Sequence, residues 1–474
     1  MDATFEPIVN HAAGNMPKRL AGTAARLSRT AVLVLLAVVV VAAGVLLAVP
    51  QWRSAVLPSV TVTQTAGPPP GYRAPATAGP PALPLAELEL APAPSAKALT
   101  GRMKKLAKAA AATPSAVVMD AQTGRVLIDR GDRPYIPAST MKLLSSLAAV
   151  EALGNDRTFA TAVVSPRDGV LILRGGGDPL LTDARSTGRA SLQQLASATV
   201  TALKRAGVTK VTLGYDASLF TGAAWHRHWT DNYRYSVARI SALTVDGGRT
   251  RTGEADKNPA ATAAAKFAAR LARAGITVAA TRPMKASADA RELATVASPR
   301  VERLIEHVLR YSDNTAIETL SRQAALAAGR GDFAGATGTV RTTLKRLGLW
   351  ASGMVIDDTS GLSRDNRVTP GVLAKAMRLV LTEDRFRSLI AGLPVGGVSG
   401  TLVDRFDDAG ERAGRGVVRA KTGSLRDVTT LAGYLVTADG SPLVFALMAN
   451  QVVRPFATRD WMDSTTANWA ACGC

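Results

Sequence analysis

Cysteine is nearly absent from this 474-residue chain. The two present, Cys472 and Cys474, stand at its extreme end. A disulfide framework is thereby excluded, and so is a cysteine-rich zinc module. The terminal C-x-C reads as an incidental pair on a frayed end, with a local disulfide or a metal site as the alternatives. Histidine is equally scarce: His11, His226, His228 and His307 are all there are, and no H-E-x-x-H occurs. His226 and His228 read as a surface-loop feature, not a zinc site, so neither a metal nor any other cofactor is expected. Aromatic residues make up only 5%, and no basic cluster is interleaved with them, which excludes nucleic-acid binding. Acidic residues are in deficit, 37 against 57 Lys+Arg, for a net charge of +20. That surplus suits anionic surroundings such as membrane headgroups or acidic cell-envelope polymers.

What is present begins with one long apolar run. Residues 31–49, AVLVLLAVVVVAAGVLLAV, carry no charge and at about 1.5 Å per residue match a hydrocarbon core of roughly 30 Å. Lys18, Arg19, Arg26 and Arg29 precede it; only Arg53 follows closely. The positive-inside rule then makes 1–30 a cytoplasmic tail, 31–49 a transmembrane signal-anchor, and the remainder extracytoplasmic. A cleaved signal peptide is the alternative; the long leading tail, the long apolar run and the missing A-x-A site oppose it. Ten prolines between Pro58 and Pro94 make 50–96 a Pro-rich linker of polyproline-like stiffness.

Folded sequence is expected from about residue 97. "AVVMDAQTGRVLIDR" predicts a hairpin with strands at 116–120 and 125–129. Pro137 to Gly154 predicts a helix, proline at its start and glycine at its end. Residues 260–275 and 299–328 also read as helical, and strand patterns return in 416–424, 429–437 and 441–450. The block 159–289 mixes short strands with glycine turns and looks inserted. No internal repeat is visible.

One residue resists this pattern. "PASTMK" places Lys142 one turn into an otherwise apolar run. Positions i and i+3 share a helix face, so Lys142 can lie beside Ser139. A desolvated lysine has a lowered pKa and can serve as a base for a serine nucleophile. S-x-x-K alone is a weak signal. It is joined, in order, by Ser312-Asp313-Asn314, mid-helical by pattern, and by Lys421-Thr422-Gly423 on a strand-like run, each occurring once. That ordered set is the signature of penicillin-interacting serine enzymes. Ser312 can relay a proton to a leaving amine. Asn314 can bond both the substrate backbone and Lys142. Lys421 offers positive charge to a terminal carboxylate, with Thr422 and Ser424 as hydroxyl donors. Gly423 keeps the strand edge bare for an extended peptide. The backbone N–H groups of Ser139 and Ser424 are the expected oxyanion hole.

With these motifs, and with "GGGDP" at 175–179, "DDTSGLSRDNRVTP" at 357–370 and "KTGS" at 421–424, the chain resembles the class C penicillin-binding proteins. These are serine D-alanyl-D-alanine carboxypeptidases and endopeptidases that trim peptidoglycan. The resemblance covers about residues 97–462. It implies an α/β fold: a penicillin-binding, β-lactamase-like serine transpeptidase domain, an antiparallel sheet with helices, over 97–158 and 290–474. Residues 159–289 would form a smaller inserted mixed α/β domain. The third, β-rich domain of larger members is expected to be missing or reduced, because "SALTVDGGRTRTG" runs almost directly into the alanine-rich helix. The implied partners are peptidoglycan stem peptides ending in D-Ala-D-Ala, and β-lactams. Asp231 and Arg364 correspond to positions that hold a diaminopimelate side chain. Two other readings compete. A β-lactamase on the same fold is opposed by the insert, the anchor and the two signature stretches. An inactive wall-binding scaffold is opposed by the intact motif set.

Overall fold

The computed structural model describes residues 91–103 and 111–474. The apolar run at 31–49 and most of the proline-rich stretch lie outside the described residues. Among the described residues no helix is long and apolar enough to cross a membrane.

The chain enters through α1 (Ala96–Arg102), capped by the Ser95 hydroxyl, which accepts from the Ala98 amide. The expected linker therefore ends earlier than 96. Ala91 and Pro92 already accept hydrogen bonds from Ser441, tying residues 91–96 to the folded body. β1 (Ala111–Asp120) and β2 (Val126–Arg130) form the expected hairpin, with β1 starting five residues earlier than its apolar pattern indicated. They join β8 (Arg419–Leu425), β9 (Val428–Val436) and β10 (Pro442–Val452) in an antiparallel sheet of order β2-β1-β10-β9-β8. β10 is apolar along most of its length because both its faces are covered. Val444, Ala446 and Met448 point into one core, and Leu443, Phe445, Leu447 and Ala449 into the other.

On the first face lies α2 (Met141–Leu153), buried all round from Met141 to Val150, as befits a central helix. Beside it pack α5 (Val301–Tyr311), α6 (Asn314–Ala325), α7 (Phe333–Arg346), α8 (Pro370–Thr382) and α9 (Arg387–Gly392). On the second face lie α1 and α10 (Pro455–Ala470), where Trp469 donates its indole N–H to Leu99 O. The chain end is not frayed: Cys472 is fully buried and disulfide-bonded to Cys474.

The inserted block forms a second sheet, order β6-β5-β4-β3-β7. Its members are β3 (Ala160–Arg167), β4 (Val170–Arg174), β5 (Lys210–Asp216), β6 (Thr277–Pro283) and β7 (Arg291–Ala297). β4, β5 and β6 run parallel, joined by α3 (Leu192–Arg205) and α4 (Pro259–Arg273). β3 pairs antiparallel with β4 and β7. β7 thus extends the insert past the expected boundary at 289, because its pairing partner is β3 and not the first sheet. Among the described residues there is no third sheet.

Candidate active site

The nucleophile segment differs from the expected helix start. Pro137 precedes a 3-10 turn, Ala138–Thr140, and the α-helix begins only at Met141. Ala138 sits at φ 46°, a left-handed conformation that a Cβ disfavours. The turn is held in place by its surroundings. Thr140 and Thr430 both donate to Pro137 O, at 2.7 and 2.9 Å, and Gly361 lies against Ala138 O. A Cβ on Gly361 would lie 1.9 Å from that oxygen, and its φ is 85°. Gly361→Ala is therefore expected to cost about 2–4 kcal/mol and most of the acylation rate. Thermal denaturation checks this, and a parent-like midpoint would show that the turn relaxes freely.

Lys142 is fully buried and donates to three oxygens: Ser139 Oγ at 2.9 Å, Asn314 Oδ1 at 2.6 Å and Ser360 O at 2.7 Å. The Asn314 amide orientation is set by its other end, Nδ2 donating to Ser236 O at 2.8 Å. Burial pushes the Lys142 amine down to about 8, against the opposing charges of Asp358, Glu318 and Asp313. A neutral amine has two N–H groups and one lone pair. Asn314 Oδ1 and Ser360 O can only accept, so they take the two N–H groups. The lone pair is left for the Ser139 hydroxyl, which makes Lys142 the proton acceptor for the nucleophile.

Ser312 is not mid-helical. It breaks the expected 299–328 helix in two, taking αL geometry (φ 56°, ψ 38°) between α5 and α6, while Asp313 caps α6 by accepting from Ala316 N. The break turns the Ser312 hydroxyl toward Lys421, whose Nζ donates to it at 3.0 Å and to Thr422 O at 2.7 Å. Burial, and behind it the charge of Lys142, holds the Lys421 amine well below its usual range. β8 is the free edge of its sheet. Gly423 lets it run beside the nucleophile: a Cβ there would meet Thr430 Oγ1 at 2.1 Å and Ser139 N at 3.0 Å. Two cavities meet at Ser139 and Ser424. One, about 430 Å³, is bordered by Ser312, Thr401, Thr422 and Arg459. The other, about 790 Å³, is bordered by Tyr233, Asn314, Arg364 and Asp427.

Of the expected site residues, Ser139, Lys142, Ser312, Asn314, Lys421, Thr422, Gly423, Ser424 and Arg364 come together around these cavities. Arg364 is ion-paired with Asp427 at 2.7 Å. Asp231 is not brought into the cleft. It opens the 3-10 turn Asp231–Tyr235 exposed to solvent, while its neighbours Thr230, Asn232 and Tyr233 form the wall. The motif reading missed the support beneath Lys142. Glu318, buried, accepts from Thr359 N, Thr359 Oγ1 and Ser360 N at 3.0, 2.7 and 2.8 Å, and so presents Ser360 O to the lysine. Burial raises the Glu318 carboxyl to about 7, with Asp358 adding to the shift. Asp358 gathers the same loop, accepting from Gly361 N, Ser363 N, Asn366 Nδ2 and the Trp229 indole. The stretch 357–370 stood out in the sequence, but nothing in its residues said which carbonyl would be used.

The histidine pair is also placed differently. His226 is buried, and with His228 and Asp357 it brings three metal-capable atoms within 4.8 Å of one another. His228 Nε2 accepts from Arg227 Nε, so its proton sits on Nδ1, 2.9 Å from both Asp357 and Asp365. Nδ1–H is thus a hydrogen-bond donor shared between these two carboxylates.

The sequence model of the D-Ala-D-Ala carboxypeptidase 3 (S13) family matches residues 99–259 and 250–471. A carboxypeptidase of Mycobacterium tuberculosis is 34% identical over 75% of this chain and 80% of its own length. The carboxypeptidase DacB of Mycolicibacterium smegmatis is 34% identical over 84% of this chain and 89% of its own. Among solved structures, penicillin-binding protein 4 of Haemophilus influenzae superposes with a TM-score of 0.65 at 21% identity. That match covers 79% of this chain and 98% of the other, a likeness of fold.

Proposed function

The chain belongs to the D-Ala-D-Ala carboxypeptidase 3 (S13) family, and from that premise we propose how its residues divide the work of a serine D-alanyl-D-alanine carboxypeptidase on peptidoglycan stem peptides. The observation that carries the assignment is the three-way bonding of Lys142, which leaves its lone pair to Ser139. The Ser139 hydroxyl gives its proton to Lys142 as Oγ bonds to the carbonyl carbon of the penultimate D-alanine. The oxyanion is met by the N–H groups of Ser139 and Ser424. As the C–N bond breaks, the departing amine takes a proton through Ser312, and its carboxylate rests near Lys421 and Thr422. A carboxylate arriving there raises the Lys421 pKa and restores its charge. Water then hydrolyses the ester, returning Ser139. A β-lactam opens on the same atoms and remains as an ester, the chemistry expected of a penicillin-binding protein.

The cavity on the Thr422 side, about 430 Å³, holds more than one alanine, which supports endopeptidase action on cross-linked peptides as a second activity. In the other cavity, the Arg364–Asp427 pair is a cation and an anion side by side. It complements the zwitterionic end of a meso-diaminopimelate side chain, with Asp231 adding only negative charge at the rim. Arg364→Ala should lower kcat/KM on a diaminopimelate stem peptide by roughly tenfold to a hundredfold and leave acylation by a simple penicillin unchanged. Purified muropeptides, with products read by mass spectrometry, test both points. Equal loss on the two ligands would make Arg364 a structural residue, and absence of D-alanine release would overturn the carboxypeptidase reading.

The run 31–49 and the basic residues before it support a single-pass anchor in the cytoplasmic membrane, with the catalytic domain on the cell-wall side. A reporter active only outside the membrane, fused after residue 100, should be active. A soluble secreted form beginning near residue 50 would show cleavage instead.

A further inference from the structure

Away from Ser139, a cavity of about 600 Å³ opens at the carboxyl ends of β5 and β6. The topology makes this place. β5 and β6 are parallel and α4 crosses between them, so the N-terminus of α4, at Pro259 and Ala260, returns to the strand ends and forms part of the wall. Open parallel sheets take their ligands at this edge, where the helix dipole favours an anion; in α4 Pro259 has no N–H and the Ala261 N–H is taken by Asn258 Oδ1, so the helix contributes its dipole more than free donors.

The side chains reinforce that field. Arg239, Lys257, Lys285 and Arg322 border the cavity, and none of them forms an ion pair among the described residues. The facing carboxylate, Asp216, is spent on the amides of Ser218 and Ala286, each at 2.8 Å. Arg322 is 1% exposed. Its two terminal nitrogens donate to Thr221 O and Ala223 O, on the loop that walls the cavity, while its Nε is buried with no partner. Its guanidinium lies 4.2 Å over the Phe333 ring. A buried guanidinium with no ion-paired carboxylate is costly; the charges of Glu318 and Asp332 offset this only from beyond ion-pair distance, and Arg322 borders this cavity.

We propose that this cavity binds a doubly charged oxyanion of the phosphate-monoester class, held by Lys257, Lys285 and the start of α4 above the buried Arg322 charge. Four cations against one occupied carboxylate leave a surplus that a dianion matches better than a carboxylate does. The chemistry could come from free phosphate or from the phosphorylated end of a larger molecule. None of the residues around Ser139 borders the cavity, so the site stands apart from the hydrolytic one.

Calorimetric titration of the full-length protein with glycerol 3-phosphate and with inorganic phosphate tests it. Saturable binding of either, with a dissociation constant below about 1 mM, is expected, and tighter binding of glycerol 3-phosphate points to a phosphorylated end. The double variant Lys257→Glu/Lys285→Glu should bind at least tenfold more weakly, while its Ser139 is still acylated by penicillin at the parent rate, which verifies the fold. The proposal is overturned by absence of saturation, by equal affinity in the double variant, or by acetate binding as tightly as the phosphates.

Discussion

Ser139→Ala should yield a folded protein that forms no covalent adduct with penicillin, where the parent gains the mass of one inhibitor. The loss of kcat/KM on a D-Ala-D-Ala peptide should be about 10⁴-fold or more, because removing a nucleophile leaves only binding and the oxyanion hole. The fold should tolerate the change. Among the described residues the Ser139 hydroxyl bonds only Lys142, and the shape of its turn is imposed by Thr140, Thr430 and Gly361. The melting midpoint should therefore move by no more than the equivalent of about 1 kcal/mol. Penicillin should still bind reversibly, since Thr422, Ser424 and Lys421 are intact. Intact-protein mass spectrometry is the measurement, and an adduct that persists in the variant would falsify the assignment of Ser139.

Motif chemistry was legible in the sequence because it is local or because its members are chemically distinctive. S-x-x-K is a statement about one turn of backbone, and the distance of 2.9 Å between Lys142 and Ser139 follows from it. A lysine in an apolar run can be read as buried without knowing what buries it. The αL kink at Ser312 was not legible: the apolar period runs on through 299–328, and periodicity alone does not register one residue changing hand. Nor was the role of Glu318. A glutamate one turn after Asn314 reads as an exposed helix position, and only the loop that carries Thr359 and Ser360, 41 and 42 residues away in sequence, shows that its carboxylate is spent on them. Asp231 failed for a related reason. Its segment borders the cleft, but a 3-10 turn points successive side chains in different directions, and its neighbours face inward instead. The β7 boundary slipped because a short edge strand of half-exposed residues, RELATVA, carries little pattern of its own and is defined by its pairing with β3.

Lys142→Met should lose about 10³- to 10⁴-fold in the rate of acylation by penicillin, since general-base catalysis supplies up to that much. The parent rate should rise about tenfold per pH unit below 8 and level off above it, as the amine becomes neutral. The variant should lack that limb. The same lysine has a signature in stability. Its pKa falls from 10.5 unfolded to about 8 folded, so folding releases a proton between those values. The unfolded state binds more protons there, and the parent's stability from this group rises with pH across that window. Below pH 8 the full penalty of a buried charge is present, of order 3 kcal/mol for a shift of this size; above 10.5 it is gone. Methionine pays no such penalty at any pH, but it leaves Asn314 Oδ1 and Ser360 O without their donor, at about 1–3 kcal/mol each. The two effects oppose each other at neutral pH, and the variant should be close to the parent there. Between pH 8 and 10.5 only the parent gains, and the variant should become progressively the less stable of the two. Denaturant unfolding of both proteins at a series of pH values separates the cases. A stability difference that stays flat across the window would mean that Lys142 remains charged throughout, as in the unfolded chain, and the proton acceptor for Ser139 would then have to be another group.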